Sequence, residues 1–302
     1  MKQNVSSPVP RTKKEKLLPL RFVALFLIMI VLFCLPACTE TAPAPDENSL
    51  KVTFIDVGKG DCILIQKGNS AALIDTGYDA TSTTVLYYLQ DHGIEALDCM
   101  IITHYDKDHV GGAAYLAENL EVKNILLPAY EGESKFYSSL MDVIAKKGIP
   151  AQRITSDLSF ALEDVNYTVF ASNVGYKTGE DGKEGNDNDC SLVIAVTYLE
   201  DSYLFAGDIE KAGIKAFLKA HTGRYDVLKL PHHGSLEKNT EDLLDATEPR
   251  IAVITDSTDE PASSDLLVSL KSSGTACYRS SVNGNITVTS MGEGEYNIST
   301  EK

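Results

Sequence analysis

One ten-residue stretch limits the possible folds of this chain most, because it joins a buried strand to a dense group of metal-binding side chains. Residues 98–102 include the apolar run Met-Ile-Ile and predict a strand, and the next ten residues read Thr-His-Tyr-Asp-Lys-Asp-His-Val-Gly-Gly. In an extended segment, side chains two positions apart point the same way, so His104 and Asp106 can share one ion. The adjacent Asp108 and His109 point elsewhere and can reach a second ion.

Two later segments repeat this design, in which an apolar strand ends abruptly in residues of metal-binding type. Phe-Ala-Gly precedes Asp208, and Leu-Lys-Leu-Pro precedes the pair His232 and His233. Strand ends that meet at one rim bring such residues together, which predicts a site for two metal ions. Asp208 is suited to bridge them, because a carboxylate can give one oxygen to each ion. Asp75 ends a fourth strand, and we expect it to orient a ligand histidine through a hydrogen bond rather than to bind metal.

The pattern of the remaining elements predicts an α+β fold. Strands are expected over 51–57 and 61–66 as the two arms of a hairpin, and the chain is expected to close with a hairpin around Asn283. Runs of antiparallel strands flanked by helices in each half favour an αββα sandwich, in which two sheets pack face to face with helices outside. No low-complexity linker interrupts residues 50–302, which we treat as one domain.

The N-terminal segment has the architecture of an export signal. A basic region ends at Arg21, the run 22–34 is apolar throughout, and Leu-Pro-Ala then precedes Cys38. Spanning a bilayer takes about 20 residues, so this run is too short and fits a signal-peptide core. We expect 1–37 to be a lipoprotein signal peptide, Cys38 to carry the lipid, and 38–49 to be a disordered tether. The expected location is extracytoplasmic, on the bacterial cell membrane, with a plain secretory signal or an uncleaved anchor as alternatives.

The charge balance argues against one class of function. The formal net charge is −16, and six of the 27 basic residues precede residue 38, so the rest of the chain is more acidic still. A field of this sign repels polyanions at long range, which argues against a nucleic-acid binder that relies on neutralising phosphates. A small local site for anions is still possible, because bound divalent cations reverse the sign there.

Taken together, the motifs resemble those of the metallo-β-lactamase-fold hydrolases, and among them the hydrolase domain of the competence protein ComEC. The matching segments follow the family's order and spacing over roughly residues 50–290. They are Asp56-Val-Gly-Lys-Gly-Asp61, Ile74-Asp-Thr-Gly77, the stretch 103–112, Asn188-Asp-Cys-Ser191, Gly207-Asp208 and His232-His-Gly-Ser235. The resemblance implies the metallo-β-lactamase sandwich and a metal-dependent hydrolase with two divalent ions, Zn²⁺ or Mn²⁺.

The resemblance also implies how the ligands divide between the two ions. His104 and Asp106 are assigned to the first ion. Asp108 and His109 are assigned to the second, and Asp208 bridges the two. Asp108 is in addition expected to act in catalysis.

The remaining assignments concern residues around these ions. Of the adjacent histidines, His233 is favoured as the ligand that completes the second ion and His232 as a contact to substrate, with the reverse left open. Asn188 and Ser191 stand where the wider fold often has another metal histidine, so the first ion is completed by Asn188 or by water. We expect His232 and Asn188 to act in catalysis, and Ser191 and Asp56 to support the ligands.

Three positions depart from patterns in the family. Lys59 replaces the usual glutamine of the first turn, and Glu260 stands where the ComEC-like pattern has a histidine before proline. Asp106 stands where many relatives of the wider fold have histidine. With three carboxylates among the ligands, the donor set is harder than an all-histidine one, which makes Mn²⁺ plausible beside Zn²⁺. The same substitution favours a phosphodiesterase over a β-lactamase.

We therefore expect a phosphodiesterase or nuclease whose substrate is a phosphodiester, either DNA or a cell-envelope polymer. The alternative is a cell-envelope esterase such as a phosphorylcholine esterase, which the surface tether and the acidic domain favour. A non-catalytic surface domain stabilised by metal ions is a third hypothesis. The membrane is an expected partner through the lipid anchor, and the sequence indicates neither a protein partner nor an oligomeric state.

Overall fold

The computed structural model describes residues 48–177 and 186–302. The predicted signal peptide 1–37, the lipidation site Cys38 and nearly all of the tether 38–49 lie outside the described residues. Within the two described ranges, no helix combines the length and the apolar character needed to cross a bilayer.

The first sheet is mixed and contains eight strands among the described residues. They are β1 (Leu50–Phe54), β2 (Ile63–Lys67), β3 (Ser70–Ile74), β5 (Cys99–Ile101), β7 (Ile125–Pro128), β8 (Ala151–Ile154), β16 (Ile286–Ser290) and β17 (Tyr296–Thr300). Their order across the sheet is β17, β16, β1, β2, β3, β5, β7, β8. The four strands from β3 to β8 run parallel, so their carboxyl ends lie at one edge of the sheet.

The second sheet contains seven strands in the part of the chain that the structure describes. They are β9 (Leu158–Leu162), β10 (Val165–Phe170), β11 (Val193–Tyr198), β12 (Asp201–Phe205), β13 (Val227–Lys229), β14 (Ile251–Ile254) and β15 (Ala276–Arg279). They are ordered β15, β14, β13, β12, β11, β10, β9, and the four from β12 to β15 run parallel. A separate small pair joins β4 (Ala96–Leu97) to β6 (Glu121–Val122).

Seven α-helices accompany the two sheets in the described residues, and one of them begins and ends at residues suited to those positions. They are α1 (Ser82–Asp91), α2 (Ala113–Asn119), α3 (Lys135–Lys147), α4 (Lys211–Ala220), α5 (Thr240–Thr247), α6 (Ser264–Ser273) and α7 (Ser280–Asn283). The Ser134 hydroxyl caps α3 by accepting a hydrogen bond from the Tyr137 amide at 3.2 Å. Gly148 ends the same helix in the left-handed conformation that favours glycine.

The buried residues form three groups that stack as four layers, which confirms the predicted αββα sandwich. In β3, Ala72 and Ile74 pack between the two sheets, whereas Ala71 and Leu73 pack outward against the helices α1 to α3. In β12 the inner side chains are Tyr203 and Phe205, and the outward side chain, Leu204, packs against α4, α5 and α6. The central strands are covered by helices on one face and by the other sheet on the opposite face. Their sequences are therefore nearly continuous apolar runs.

Two boundaries differ from the prediction. Strand β2 begins at Ile63, so the connection from β1 is the eight-residue loop 55–62 rather than a tight turn. The closing hairpin is formed by β16 and β17, around a turn at 291–295, and the segment near Asn283 is the short helix α7. The first difference matters for function, because it takes Asp61 out of the strand.

Candidate metal centre

Four buried side chains from three strand ends meet where the two sheets come together. His104 and His109 follow β5 of the first sheet, and Asp208 and His233 follow the parallel neighbours β12 and β13 of the second. Each is at most 3% exposed. The amide of Leu192 donates to the Thr103 carbonyl at 2.9 Å, which joins the histidine segment to the second sheet.

Among the described residues, His109 belongs to three groups of potential ligand atoms, one of which joins it to Asp61 and Asp75. Of the other two, the first has ligand atoms of His104, His109 and Asp208 within 4.8 Å of one another, and the second has those of Asp108, His109 and His233 within the same distance. One carboxylate oxygen lies between these two groups. Asp208 Oδ2 is 3.2 Å from His109 Nε2 and 2.9 Å from His233 Nε2. This oxygen thus belongs to the first group and also contacts His233 of the second.

Hydrogen bonds to Asp75 fix the orientation of the two histidines of the first segment. His109 Nδ1 donates to Asp75 Oδ2 at 2.8 Å. The Thr103 hydroxyl donates to the same oxygen at 2.7 Å, so it accepts from His104 Nδ1 at 3.0 Å. Both rings therefore carry a proton on Nδ1 and direct Nε2 into the site, the arrangement typical of metal-binding histidines.

His233 is held in the same way by a second carboxylate. The Thr255 hydroxyl donates to Asp61 Oδ1 at 2.6 Å, so it accepts from His233 Nδ1 at 3.0 Å. His233 Nε2 then faces His109 Nε2 at 3.3 Å and Asp108 Oδ2 at 3.4 Å. Two ring nitrogens this close repel each other unless a proton or a cation lies near them.

The electrostatics show where positive charge is favoured. Burial opposes a charge on His109, but Asp208 and Asp75 outweigh it and hold the pKa of His109 well above its usual value. Burial also opposes a charge on His233, but nearby carboxylates, chiefly Asp208, outweigh it and raise the pKa of His233. Burial and then the charge of His109 hold the pKa of His104 well below its usual value. The site thus favours positive charge at His109 and His233, beside the Asp208 carboxylate, and disfavours it at His104.

A fully buried lysine contacts this centre, and the sequence analysis did not assign it a role. Lys229 Nζ lies 2.5 Å from Asp61 Oδ2 and 3.3 Å from Asp208 Oδ1, and donates to the Gly207 carbonyl at 3.0 Å. Burial disfavours its charge, but Asp61 and Asp208 outweigh burial and raise its pKa. Because Lys229 occupies Oδ1, Asp208 presents Oδ2 to the histidines. A lysine inside the apolar strand β13 is the sequence signal that could have identified this contact.

The structure places two other expected site residues, Asp106 and Ser191, near the centre. Asp106 is exposed, and its Oδ2 is 3.8 Å from His104 Nε2. Neighbouring protein groups displace part of the water around this half-exposed carboxyl, and this desolvation, followed by the charge of Asp108, raises the pKa of Asp106 to about 6. Ser191 lies next to Asp208, and its hydroxyl accepts a hydrogen bond from the Asp208 amide at 3.3 Å.

Asn188 and His232 lie together beside two glutamates. Asn188 Nδ2 donates to Glu210 Oε1 at 3.0 Å, and Asn188 Oδ1 is buried without a hydrogen-bond partner among the described residues. His232 Nδ1 is 3.2 Å from Glu237 Oε1 and 3.4 Å from Glu210 Oε1, and its side chain is 24% exposed. Of the adjacent histidines, only His233 therefore points into the group of ligand atoms, while His232 lies at the rim.

Asp56 lies apart from the ligand atoms. Its Oδ1 accepts from the Gly58 amide at 3.2 Å, its amide donates to Asn285 Oδ1 at 2.7 Å, and Lys302 Nζ is 3.4 Å from its Oδ2. These contacts stabilise the start of the loop 55–62 rather than a ligand. The carboxylate of this loop that contacts the centre is Asp61.

Unusual backbone conformations, with positive φ, also occur at several residues of the site. His232 and His233 both have positive φ, 47° and 51°, and Asp75 has φ 56°. Such conformations cost about 1–3 kcal/mol each outside glycine and are kept where the surroundings determine them. Two consecutive left-handed residues turn the chain sharply, which sends neighbouring imidazoles in different directions. Gly207, before Asp208, has φ 54°, and a Cβ there would lie 2.9 Å from the Ser191 side chain.

Comparison with known proteins identifies the family. A profile described as the Metallo-beta-lactamase superfamily matches residues 55–254, a range that contains the three strand ends of the candidate metal centre. The chain belongs to the metallo-beta-lactamase superfamily. Among solved structures, the metallo-beta-lactamase fold protein YhfI from Bacillus subtilis aligns with a TM-score of 0.51 and 11% identity, covering 76% of this chain and 95% of YhfI. At that identity the likeness supports the fold alone.

Curated relatives of this superfamily member are competence and recombination proteins. ComE operon protein 3 of Bacillus subtilis is 25% identical over 249 residues, which cover 75% of this chain and 30% of that protein. Recombination protein 2 of Haemophilus influenzae is 26% identical over 257 residues, covering 83% of this chain and 29% of that protein. The resemblance to the ComEC type is therefore confirmed. The chain spans less than a third of the length of these two relatives.

Residues of this metallo-beta-lactamase-fold chain fit the divalent ions that the fold usually binds. His104 Nε2 is fully buried and has no hydrogen-bond partner in the parts of the chain that the structure describes. Burying such an atom without a partner is costly, and a cation would satisfy it. The nitrogen and carboxylate donors around it are those that Zn²⁺ and Mn²⁺ accept.

Proposed function

We propose that this superfamily member is a phosphodiesterase that uses two divalent cations, Zn²⁺ or Mn²⁺. The observation that carries the proposal is that three imidazole Nε2 atoms and Asp208 Oδ2 converge on one buried volume. Two cations in such a site activate water and neutralise charge on a phosphodiester, so no nucleophilic side chain is needed. His104, Asp106, Asp108, His109, Asp208 and His233 would hold them.

The surrounding residues have distinct tasks in this proposal. Asp75 and Asp61 keep the protons of the ligand histidines on Nδ1, which leaves Nε2 available to a cation. His232, at the rim, would contact a substrate oxygen. Asn188 would use its unpartnered Oδ1 either on the first ion or on substrate. The oxygen-rich ligand set, with three aspartates, favours phosphoryl chemistry with a hard cation.

The test is hydrolysis of bis(p-nitrophenyl) phosphate and of single-stranded DNA by the metal-loaded protein. Asp208→Asn keeps the shape of the side chain but removes the charge between the two groups, and it is expected to lower hydrolysis at least about 100-fold. Lys146→Gln, which breaks an exposed 3.0 Å ion pair with Glu118 on the outer helices, serves as the matched control. A protein that binds two ions and hydrolyses neither compound would overturn the proposal.

A second candidate is an esterase that releases phosphorylcholine, a phosphate ester that carries a quaternary ammonium group, from a cell-envelope polymer. The observation that favours it is the pair of carboxylates, Glu210 and Glu237, on either side of His232 at the rim. Two carboxylates there would attract a quaternary ammonium group. Release of phosphorylcholine from cell-wall material, without hydrolysis of DNA, would distinguish this activity from a nuclease.

The proposed location is the outer face of the cell membrane, with the chain anchored by lipid at Cys38. The support is the order of basic, apolar and Leu-Pro-Ala-Cys segments before residue 39. The parent is expected to incorporate a labelled fatty acid, and Cys38→Ala is expected to incorporate none. A parent that incorporates no fatty acid would contradict lipid anchoring.

A further inference from the structure

An ion pair joins two of the positions at which this chain departs from the ComEC-like pattern. Lys59 Nζ lies 2.9 Å from Glu260 Oε2, although the two residues are 201 positions apart. Their side chains are 26% and 63% exposed. The pair thus holds an ammonium and a carboxylate in contact where both are partly open to solvent.

This pair lies at the mouth of the metal centre, on the side of Asp108. Gly60, next to Lys59, packs so closely on Asp108 that a Cβ would lie 2.7 Å from its carbonyl oxygen. The Asp61 amide donates to that same carbonyl at 3.1 Å. The segment that carries Glu260 packs beside the turn of His233, since a Cβ on Gly234 would lie 2.8 Å from that of Ala262.

The pair is suited to open for an incoming anion. A partly exposed ion pair contributes little to stability, so exchanging its carboxylate for another anion costs little. The lysine ammonium is a compact charge with three donors, which binds a phosphate in many orientations. The chain is acidic overall, at −16, and repels anionic substrates at a distance. A cation at the mouth would therefore supply a local attraction that the rest of the surface lacks.

We propose that Lys59 is the anion subsite for a second phosphate of the substrate, adjacent to the phosphodiester at the metal centre, with Glu260 as the counter-ion that this phosphate displaces. This inference rests on the proposed phosphodiesterase function and specifies its substrate class. The substrates are short phosphodiesters that carry an additional terminal phosphate. Lys107, exposed next to Asp108, adds positive potential without being required as a ligand.

The experiment compares 5′-phosphorylated dithymidylate with dithymidylate that lacks the terminal phosphate, using the Mn²⁺-loaded protein. The parent is expected to prefer the phosphorylated compound in kcat/KM by about three- to tenfold, the range for one exposed ion pair. Lys59→Gln is expected to bring this ratio to about one through KM, and Glu260→Gln to increase it. Lys146→Gln, whose ion pair with Glu118 lies on the outer helices, is expected to keep the parent ratio.

The outcomes separate this inference from the proposed function. If the parent hydrolyses both compounds and Lys59→Gln has the same ratio, the subsite is wrong and the phosphodiesterase stands. If the parent hydrolyses neither compound, the affinities of the same two compounds, measured by calorimetry, test the subsite. Tighter binding of the phosphorylated compound that Lys59→Gln abolishes supports the subsite, whereas equal binding overturns it. Should Lys59→Gln fail to fold, an unchanged ratio in Glu260→Gln would overturn the proposal.

Discussion

Replacing Lys229 by methionine tests whether the centre needs positive charge. The lysine is fully buried, and its Nζ contacts Asp61, Asp208 and the Gly207 carbonyl within 3.3 Å. Methionine keeps a similar length but leaves the two carboxylates without their cation. Removing one partner of a buried ion pair costs about 3–5 kcal/mol, so Lys229→Met is expected to destabilise the metal-free protein by that amount. For a domain of this size, the melting temperature would fall by about 6–20 °C.

The assay is thermal unfolding in EDTA and again with saturating Zn²⁺. Bound cations supply positive charge to the same carboxylates, so the difference between Lys229→Met and the parent is expected to shrink with metal. Adding Asp61→Asn to Lys229→Met removes both members of the closest pair and is expected to restore much of the lost stability. A loss below about 1 kcal/mol without metal, or an equal loss in both conditions, would refute the reasoning.

Three further outcomes are expected. His233→Gln should lose one of two bound ions, whereas His232→Gln, whose ring lies at the rim, should keep both; equal metal contents would contradict this assignment. Gly60→Ala should lower kcat/KM about tenfold or more, because its Cβ would lie 2.7 Å from the Asp108 carbonyl and displace that ligand. Gly175→Ala, where a Cβ meets no described atom within 4 Å, is its control. Stripping metal should lower the melting temperature, since saturation at 100 times Kd contributes about 2.7 kcal/mol, and an unchanged transition would count against resident ions.

Much of the fold and the meeting of the strand ends could be predicted, because both depend on local patterns. Apolar runs ending in Asp75, His104, Asp208 and His233 marked strand ends at one rim, and the structure brings these four residues together. The expected antiparallel runs were wrong for the central strands, which run parallel in both sheets, because strand direction depends on the helical connections between them. The choice of His233 as the inward-pointing member of its pair came from the resemblance. No local pattern distinguishes two adjacent histidines whose directions depend on a strained turn.

The contacts that support the ligands were harder to predict, because they join distant parts of the chain. Assigning Asp61 to a strand hid its role, since only the true start of β2 at Ile63 leaves it in a loop against Lys229. Asp56 was chosen instead, and it contacts Asn285 and Lys302. Such pairings are set by tertiary packing, so a motif alone could not separate the two aspartates of the same turn.

The most direct test of the central claim is the number of divalent ions bound per chain. The purified protein would be dialysed against buffered Zn²⁺ or Mn²⁺, separated from free metal and analysed by mass spectrometry of the elements. The proposed centre predicts two ions per chain in the parent and fewer in Asp208→Asn, because Asp208 Oδ2 lies between the two groups of ligands. A parent that binds no ion, or an Asp208→Asn variant that still binds two, would contradict the two-metal centre.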